Sequence, residues 1–299
     1  MPDGIRLEYR KRPSAAVFMA GAIWPSPGFR KAGGVPPICA RWLRHRANER
    51  ELKAFLSLSG LPDAKHLPLL YPHTISFPLQ MAVLTHPAFP VPIWRVLQVR
   101  NRLLQHAPLR KDAAFDLTVG VAGHRFLDKG VEIDLHAVAA VDGRPAWEAV
   151  NTFYVRGRFG AATAEATPEP KVSLIETASW RMPAGGGWRY GGLSGDYNPL
   201  HWWSAYARKH GFARAFFHPQ RVLGQCLARL PALDPGEPQQ LDAWLKGPVY
   251  YGTQVALRAR VEEDGTTFAL NMDEEARPAI VGRLRRAAPG SRLIPTTLD

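Results

Sequence analysis

The chain has 299 residues, 46% hydrophobic and 21% charged, a globular composition that excludes a disordered chain. Its 26 Gly and 27 Pro follow no period, which excludes collagen-like and low-complexity readings. Lys and Arg outnumber Asp and Glu 38 to 26, for a formal charge of +12; this permits a nucleic acid, an anionic surface or an anionic carrier as partner, and the short basic groups Arg41 to Arg50 and Arg283 to Arg286 lack a motif that would choose the first.

Two cysteines, Cys39 and Cys226, are too few and too distant for a disulfide scaffold or a metal knuckle and fit buried thiols in a reducing cytoplasm. No apolar run reaches the roughly 18 residues of a membrane span. Ser14 to Trp24, SAAVFMAGAIW, follows Arg10, Lys11 and Arg12. It has the outline of a secretory leader, but the order of elements below makes it a buried first strand. Ala40 to Leu58 is rich in helix formers, and Ile75, Leu79, Ala82 and Val83 keep helical spacing, with Pro78 opening or bending that helix. Ile93 to Leu103, Ala113 to Val121, Gly130 to Ala140 and Pro145 to Val155 read as strands, divided by turn signals such as Asp142-Gly143.

The small, polar, Pro-containing stretch Arg158 to Lys171 reads as a linker, so the expected division is 1–157, a linker at 158–171, and 172–299. The second part repeats the order of the first. Val172 to Met182 is strand-like, Gly185 to Gly195 is Gly-rich, and Val222, Leu223, Cys226, Leu227 and Leu230 mark an amphipathic helix. Gly247 to Val255, Val255 to Glu262, Thr266 to Met272 and Ala279 to Leu284 then read as strands, with a turn at Glu263-Asp264-Gly265. The fold expected is a duplicated α+β unit, each half a sheet wrapped around one central helix.

Gly192 to His201, GLSGDYNPLH, is the most informative stretch. Ser194-Gly195-Asp196 forms a turn in which Gly195 permits close backbone approach, and Pro199 can open a short helical turn. Asp196 and His201 are five apart. One turn can bring a carboxylate and an imidazole to a single cleft for acid–base work, or Asp196 can cap a helix beside an ordinary histidine. The residues alone leave both open.

This run resembles the MaoC-like family of (R)-specific enoyl-CoA hydratases and 3-hydroxyacyl-thioester dehydratases, whose Ser-Gly-Asp-x-Asn-Pro-Leu-His motif is matched by Ser194, Gly195, Asp196, Asn198, Pro199, Leu200 and His201. Ala207, Gly211-Phe212, His218 and Gly247 to Gly252 follow in the family's order, and Leu67 to Val83 looks like the degenerate first repeat of the two-repeat members. The resemblance implies a double hot-dog fold and addition of water to an enoyl thioester of coenzyme A or acyl carrier protein, with no cofactor and no metal. It makes Asp196 and His201 the catalytic pair gripping one water. Asn198, Ser194 and Gln220 are implied as orienting or oxyanion groups, and Gly195, His218 and Arg221 as substrate-binding. One departure stands out. The family has His-Gly at the start of the central helix, where the Gly N–H polarises the thioester oxygen, and this chain has His218-Pro219. Proline has no N–H, so Gln220, Ser194, Arg221 or water must substitute, or the activity is altered.

His73, His86 and His106 have no Asp at the motif spacing and read as structural. Trp202 and Trp203 line an acyl tunnel or pack beside the site. Arg208, Lys209, Arg214 and Arg221 are a solvated face or a landing site for the phosphates of coenzyme A or an acidic carrier protein. The expected partner is an acyl-CoA or acyl carrier protein substrate, with no nucleic acid and no membrane span, and the expected assembly a pseudo-dimeric monomer or a homodimer. Two rival functions remain: a non-catalytic thioester-binding subunit, motivated by Pro219, and nucleic-acid binding, motivated by the charge alone.

Overall fold

The computed structural model describes residues 4–22, 25–273, 275–288 and 290–293. In chain order the elements are β1 (Ile5–Tyr9), α1 (Ala15–Gly21), α2 (Phe29–Ala32), β2 (Ile38–Arg46), α3 (Glu49–Ser59), α4 (Leu70–Ile75), α5 (Phe77–Leu84), β3 (Val96–Gln105), β4 (Ala114–Leu127), β5 (Gly130–Val141) and β6 (Arg144–Arg156). There follow β7 (Ile175–Arg181), α6 (Gly187–Ser194), α7 (Ser204–Lys209), α8 (Pro219–Leu227), β8 (Gln239–Leu245), β9 (Gln254–Val261), β10 (Gly265–Met272) and β11 (Ile280–Arg286).

All strands join one sheet of eleven, in the order β1-β2-β4-β5-β6-β3-β8-β11-β10-β9-β7. Every pairing is antiparallel except β1 with β2. The first half supplies six strands and the second five, and they meet at β3 and β8, where Arg100 lies opposite Trp244 and Gln105 opposite Gln239. The β5–β6 turn is two residues, Asp142 at φ 47 and Gly143 at φ 78, the left-handed pair that matches the twist of a tight hairpin.

The helices lie on one face of the sheet. α5 packs on β2 and β4, and Trp147 Nε1 on β6 donates to the Leu69 carbonyl at 3.0 Å, fixing the entry of α4. α8 reaches across the second half: Gln220 donates to Gln98 on β3 at 2.7 Å, and Gln225 accepts from Trp180 on β7 at 3.0 Å. Alternate strand residues such as Leu117, Ile133, Leu135, Leu241, Leu257 and Phe268 bury with Leu79, Val83, Val222, Leu223 and Cys226 in one hydrophobic core. This is the expected α+β arrangement, a sheet carrying a central helix in each half. Residues 158–171 contain neither helix nor strand and are tied to the sheet: Thr163 donates to the Phe126 carbonyl at 2.9 Å, and Trp244 Nε1 to the Thr167 carbonyl at 3.1 Å.

Four local expectations are corrected. Ala40 to Leu58 is helix only from Glu49 onward, in α3, and its first part is strand β2, whose Ala40 and Trp42 turn one face into the core. Ser14 to Trp24 holds α1 rather than a strand, with residues 23–24 outside the described residues; its four Ala favour helix. The first strand is instead β1, added parallel to the edge of β2. Gly185 to Gly195 is mostly helix, α6. Of Gly247 to Val255, the part before β9 contributes a single bridge, Phe216 with Tyr250, and a further missed strand is β8, whose Gln240 and Asp242 sit on the face away from the helices.

Candidate functional site

Gly187, Gly191 and Gly195 recur every fourth residue, so they share one face of α6 and its end. A Cβ on Gly187 would meet the His201 carbonyl oxygen, and one on Gly191 would stand 2.7 Å from the Asp196 carbonyl oxygen. Glycine is what lets the helix press against the loop 195–201. Gly195 ends the helix in the left-handed region at φ 84, and a Cβ there would stand 2.9 Å from Pro78 of α5, so the loop is also closed from the first half. Ser194 Oγ donates to the Tyr190 carbonyl at 3.0 Å and accepts the Asp196 N–H at 3.1 Å. Asn198 Oδ1 caps the 3-10 turn Pro199–His201 by accepting the Leu200 N–H at 3.1 Å. The Asn198 N–H donates to Asp196 Oδ1 at 3.1 Å. One carboxylate oxygen is therefore engaged, and the other, Oδ2, faces His201 Nε2 at 3.6 Å.

His201 Nδ1 lies 3.0 Å from the Phe216 carbonyl oxygen. A carbonyl only accepts, so Nδ1 carries a proton, and in the neutral tautomer this leaves the lone pair at Nε2 turned toward Asp196. Tyr251 Oη donates to the His201 carbonyl at 2.8 Å and holds the residue from behind. His218 stacks on His201 at 3.8 Å between centroids, and its Nε2–H donates to the Asp196 carbonyl oxygen at 3.0 Å. Burial raises the Asp196 carboxyl above its ordinary value, opposed by His201 and the Asn198 N–H. Burial, reinforced by His201, holds the His218 ring well below its ordinary value and keeps it neutral. A separation of 3.6 Å is too long for a direct hydrogen bond, and it leaves Oδ2 and Nε2 able to reach one oxygen placed between them.

Asp196, His201 and His218 bring ligand-type atoms within 4.8 Å of one another. Only two of those atoms offer lone pairs, because His218 Nε2 is committed as a donor to the Asp196 carbonyl. The geometry therefore suits proton handling better than a three-ligand cation site.

Pro219 is the first residue of α8 and brings no N–H. The Arg221 N–H turns back to the His218 carbonyl at 3.0 Å, while the Gln220 N–H has no partner among the described residues. It is the donor left at this helix end. The Gln220 side chain is spent on Gln98. Arg221 does not join a surface basic group as expected: it is buried, Nε donating to the Leu58 carbonyl at 3.1 Å and Nη1 to the Gly185 carbonyl at 3.0 Å. Its guanidinium fastens α8 to α3 and to the loop before α6.

Trp202 and Trp203 are exposed, and with Trp188 and Tyr197 they form an aromatic rim outside the motif, Trp188 standing 5.1 Å from Trp202. Arg208 and Lys209 are exposed on α7, whereas Arg214 is anchored to Thr253 Oγ1 at 3.0 Å and lies over the Tyr250 ring. In the first half, burial pushes His73 down to about 4. His86 Nδ1 accepts its own turn's Ala88 N–H, and His106 pairs with Glu148 at 3.0 Å. The sequence pointed to Gly195 as a place of close approach but not to Tyr251, the Phe216 carbonyl, Gly187 or Gly191. The four-residue glycine spacing was the available signal for the last two.

No family model matches the chain. A 3-hydroxyacyl-thioester dehydratase X of Mycobacterium tuberculosis is 27% identical over 184 residues, which is 61% of this chain. The match covers 66% of that relative, just under two thirds of its length. The crystal structure of HtdX of Mycobacterium tuberculosis superposes with a TM-score of 0.70 at 20% identity, covering 83% of this chain and all of that one. A MaoC-like dehydratase from Phytophthora capsici gives 0.69 at 15% identity over 85% of this chain and 95% of its own. The fold is the hot-dog fold of the MaoC-like dehydratases.

Proposed function

From that fold and its Asp-x-Asn-Pro-Leu-His loop, we propose that this chain adds water reversibly to trans-2-enoyl thioesters, and in reverse dehydrates (R)-3-hydroxyacyl thioesters of coenzyme A or acyl carrier protein. The observation that carries the reading is the pair itself: Nε2 of His201, its tautomer fixed by Phe216, faces the unengaged Oδ2 of Asp196 at 3.6 Å. The match to a dehydratase relative supports it.

Water bound between the two gives a proton to His201 Nε2 as its oxygen bonds to C3. The C2–C3 π pair moves toward the thioester carbonyl, and protonated Asp196 delivers its proton to C2. Burial of Asp196 favours that protonated form. Transfer of the proton from His201 to Asp196 resets the pair, so one water is consumed and no charge accumulates. Charge on the thioester oxygen falls to the Gln220 N–H and the positive end of the nine-residue α8. We assign residues 1–157 and 172–299 to the two repeats and 158–171 to their linker; the site then occurs once per chain, and the first repeat supplies Pro78 where a second subunit would otherwise close the loop.

A hydration assay on trans-2-enoyl-CoA tests the reading. Asp196→Asn and His201→Ala are each expected to lower kcat by about 10² to 10⁴; wild-type activity no higher than either variant's would reject it. Pro219 favours a second reading, a thioester-binding subunit without turnover. Thermal stabilisation by acyl-CoA with no hydration would be its signature.

A further inference from the structure

The helix-facing rows of β6 and β3 are Trp147 with Gln105, Ala149 with Leu103, Asn151 with Asn101, and Phe153 with Gln98. A bulge between Gln98 and Arg100 brings Gln98 and Asn101 to the same face although they are three residues apart. β3 is the sixth of the eleven strands, at the seam between the halves. Here two amides face each other in the middle of the core, flanked by Leu135 and Ala243. Both are fully buried, and none of the four side-chain polar atoms of Asn101 and Asn151 has a partner among the described residues; Gln98 Nε2 has none either. Buried amides are nearly always paired, because leaving them bare opposes folding. Apolar residues of similar size would fill the space without that penalty.

The position connects to the chemistry. Gln98 accepts from Gln220 at 2.7 Å, and Gln220 lies two residues after His218. The Asn pair is the next row along the strands, about 7 Å beyond Gln98 by strand rise. It therefore stands at a depth that the chain of a thioester lying at the catalytic loop reaches after several carbons. The helix layer adds a buried polar stripe of its own, His73, Ser76 and Gln80, at one-face spacing.

We propose that Asn101 and Asn151, with Gln98, are a recognition point for a neutral oxygen on the acyl chain, a hydroxyl or keto group remote from the thioester. Two amides can donate to and accept from such a group at once. Among the described residues the strand row that carries the two amides brings no cation to match a carboxylate: Arg100 and Thr152 of the neighbouring positions belong to the other side, where Thr152 bonds Asp134, and the Arg221 guanidinium in the helix layer is already spent on the Leu58 and Gly185 carbonyls. The inference rests on the enoyl-thioester reading of the site and adds to it a class of substrate.

The test compares a medium-chain trans-2-enoyl-CoA, plain or bearing an ω-hydroxyl, on the full chain and on Asn101→Leu/Asn151→Leu, with crotonyl-CoA to normalise each protein. Wild type is expected to favour the hydroxylated chain by about tenfold or more in kcat/KM, and the double variant to reverse that preference by about 10²-fold. Asn151→Ser alone, a smaller change, should weaken the preference if the double variant does not fold. A ratio that stays within about twofold of wild type in the variants overturns the proposal and leaves the pair a structural feature. The same ratio read as calorimetric Kd for saturated acyl-CoAs, plain and ω-hydroxylated, needs no turnover. Failure to hydrate any enoyl-CoA would thus remove the catalytic reading, while the Kd ratio still decides this one.

Discussion

The two halves share a plan and differ in what they spend it on. In the first, β4, β5 and β6 run to 14, 12 and 13 residues, and the central helix opens on Phe77-Pro78. In the second, β8 to β11 have 7 or 8 residues, and the equivalent helix opens on His218-Pro219 beneath a glycine-lined loop. The first half gives sheet and packing. The second gives up regularity, buries a carboxylate beside two imidazoles, and relies on Pro78 of the first to close the loop. On the proposed reading only one half carries the chemistry, which would free the other to shape the interior.

Outside the Asp196–His201 pair itself, Gly187→Ala tests the close approach and should have the largest effect. The added methyl meets the His201 carbonyl oxygen, which is backbone and cannot swing away. Displacing the pair by about 1 Å should lower kcat roughly 10²-fold, with about 1–3 kcal/mol lost in denaturant unfolding. Gly143→Ala, in the first half's hairpin, should lower stability alone; equal kinetic effects would erase the contrast between halves. Pro219→Gly should act in the opposite sense. It supplies the missing N–H at the start of α8, and steady-state kinetics should show kcat rising by about tenfold, less than the roughly 10² to 10³ of a full oxyanion donor because the Gln220 N–H already carries part of the charge. An unchanged kcat would place carbonyl polarisation wholly on the Gln220 N–H.

The smallest effect is on stability. Burial raises Asp196, so the folded state holds this proton to higher pH than the unfolded chain. Stability from this group is full below the ordinary carboxylate value and is lost as pH rises through the raised one. Asp196→Asn should therefore melt a few degrees higher than wild type at neutral pH, roughly 2–4 °C for each kcal/mol, and the gain should vanish in acid. A lower melting temperature at pH 7 would show that the ionised carboxylate stabilises the loop. His73 behaves in the reverse sense. Pushed down to about 4, it binds its proton more readily when unfolded, so stability falls as pH drops from the ordinary histidine value toward about 4.

Much of this was legible in the sequence because it is local. Period-two alternation marked β4, β5, β9 and β10, and the ten-residue motif located Asp196, Asn198 and His201. What was not legible depends on distant partners. Ser14 to Trp24 is apolar enough for strand or helix, and only the parallel pairing of β1 with β2 decides that the edge is already filled. β8 reads as polar because its outward Gln and Asp face a charged sheet surface. Asn101 and Asn151 are fifty residues apart in the chain and become neighbours only through the β3–β6 register. Arg221 looked like one of a basic group, but one helical turn carries it inward to the Leu58 carbonyl.

The central claim is that Asp196 and His201 act as one unit on one water. The measurement that tests it most directly is the hydration rate of the double variant Asp196→Asn/His201→Ala beside each single variant and wild type. Groups that serve a single proton relay are not additive, so the double variant should be no slower than the slower single one. Losses that multiply, or a single variant that keeps wild-type rate, would contradict the account.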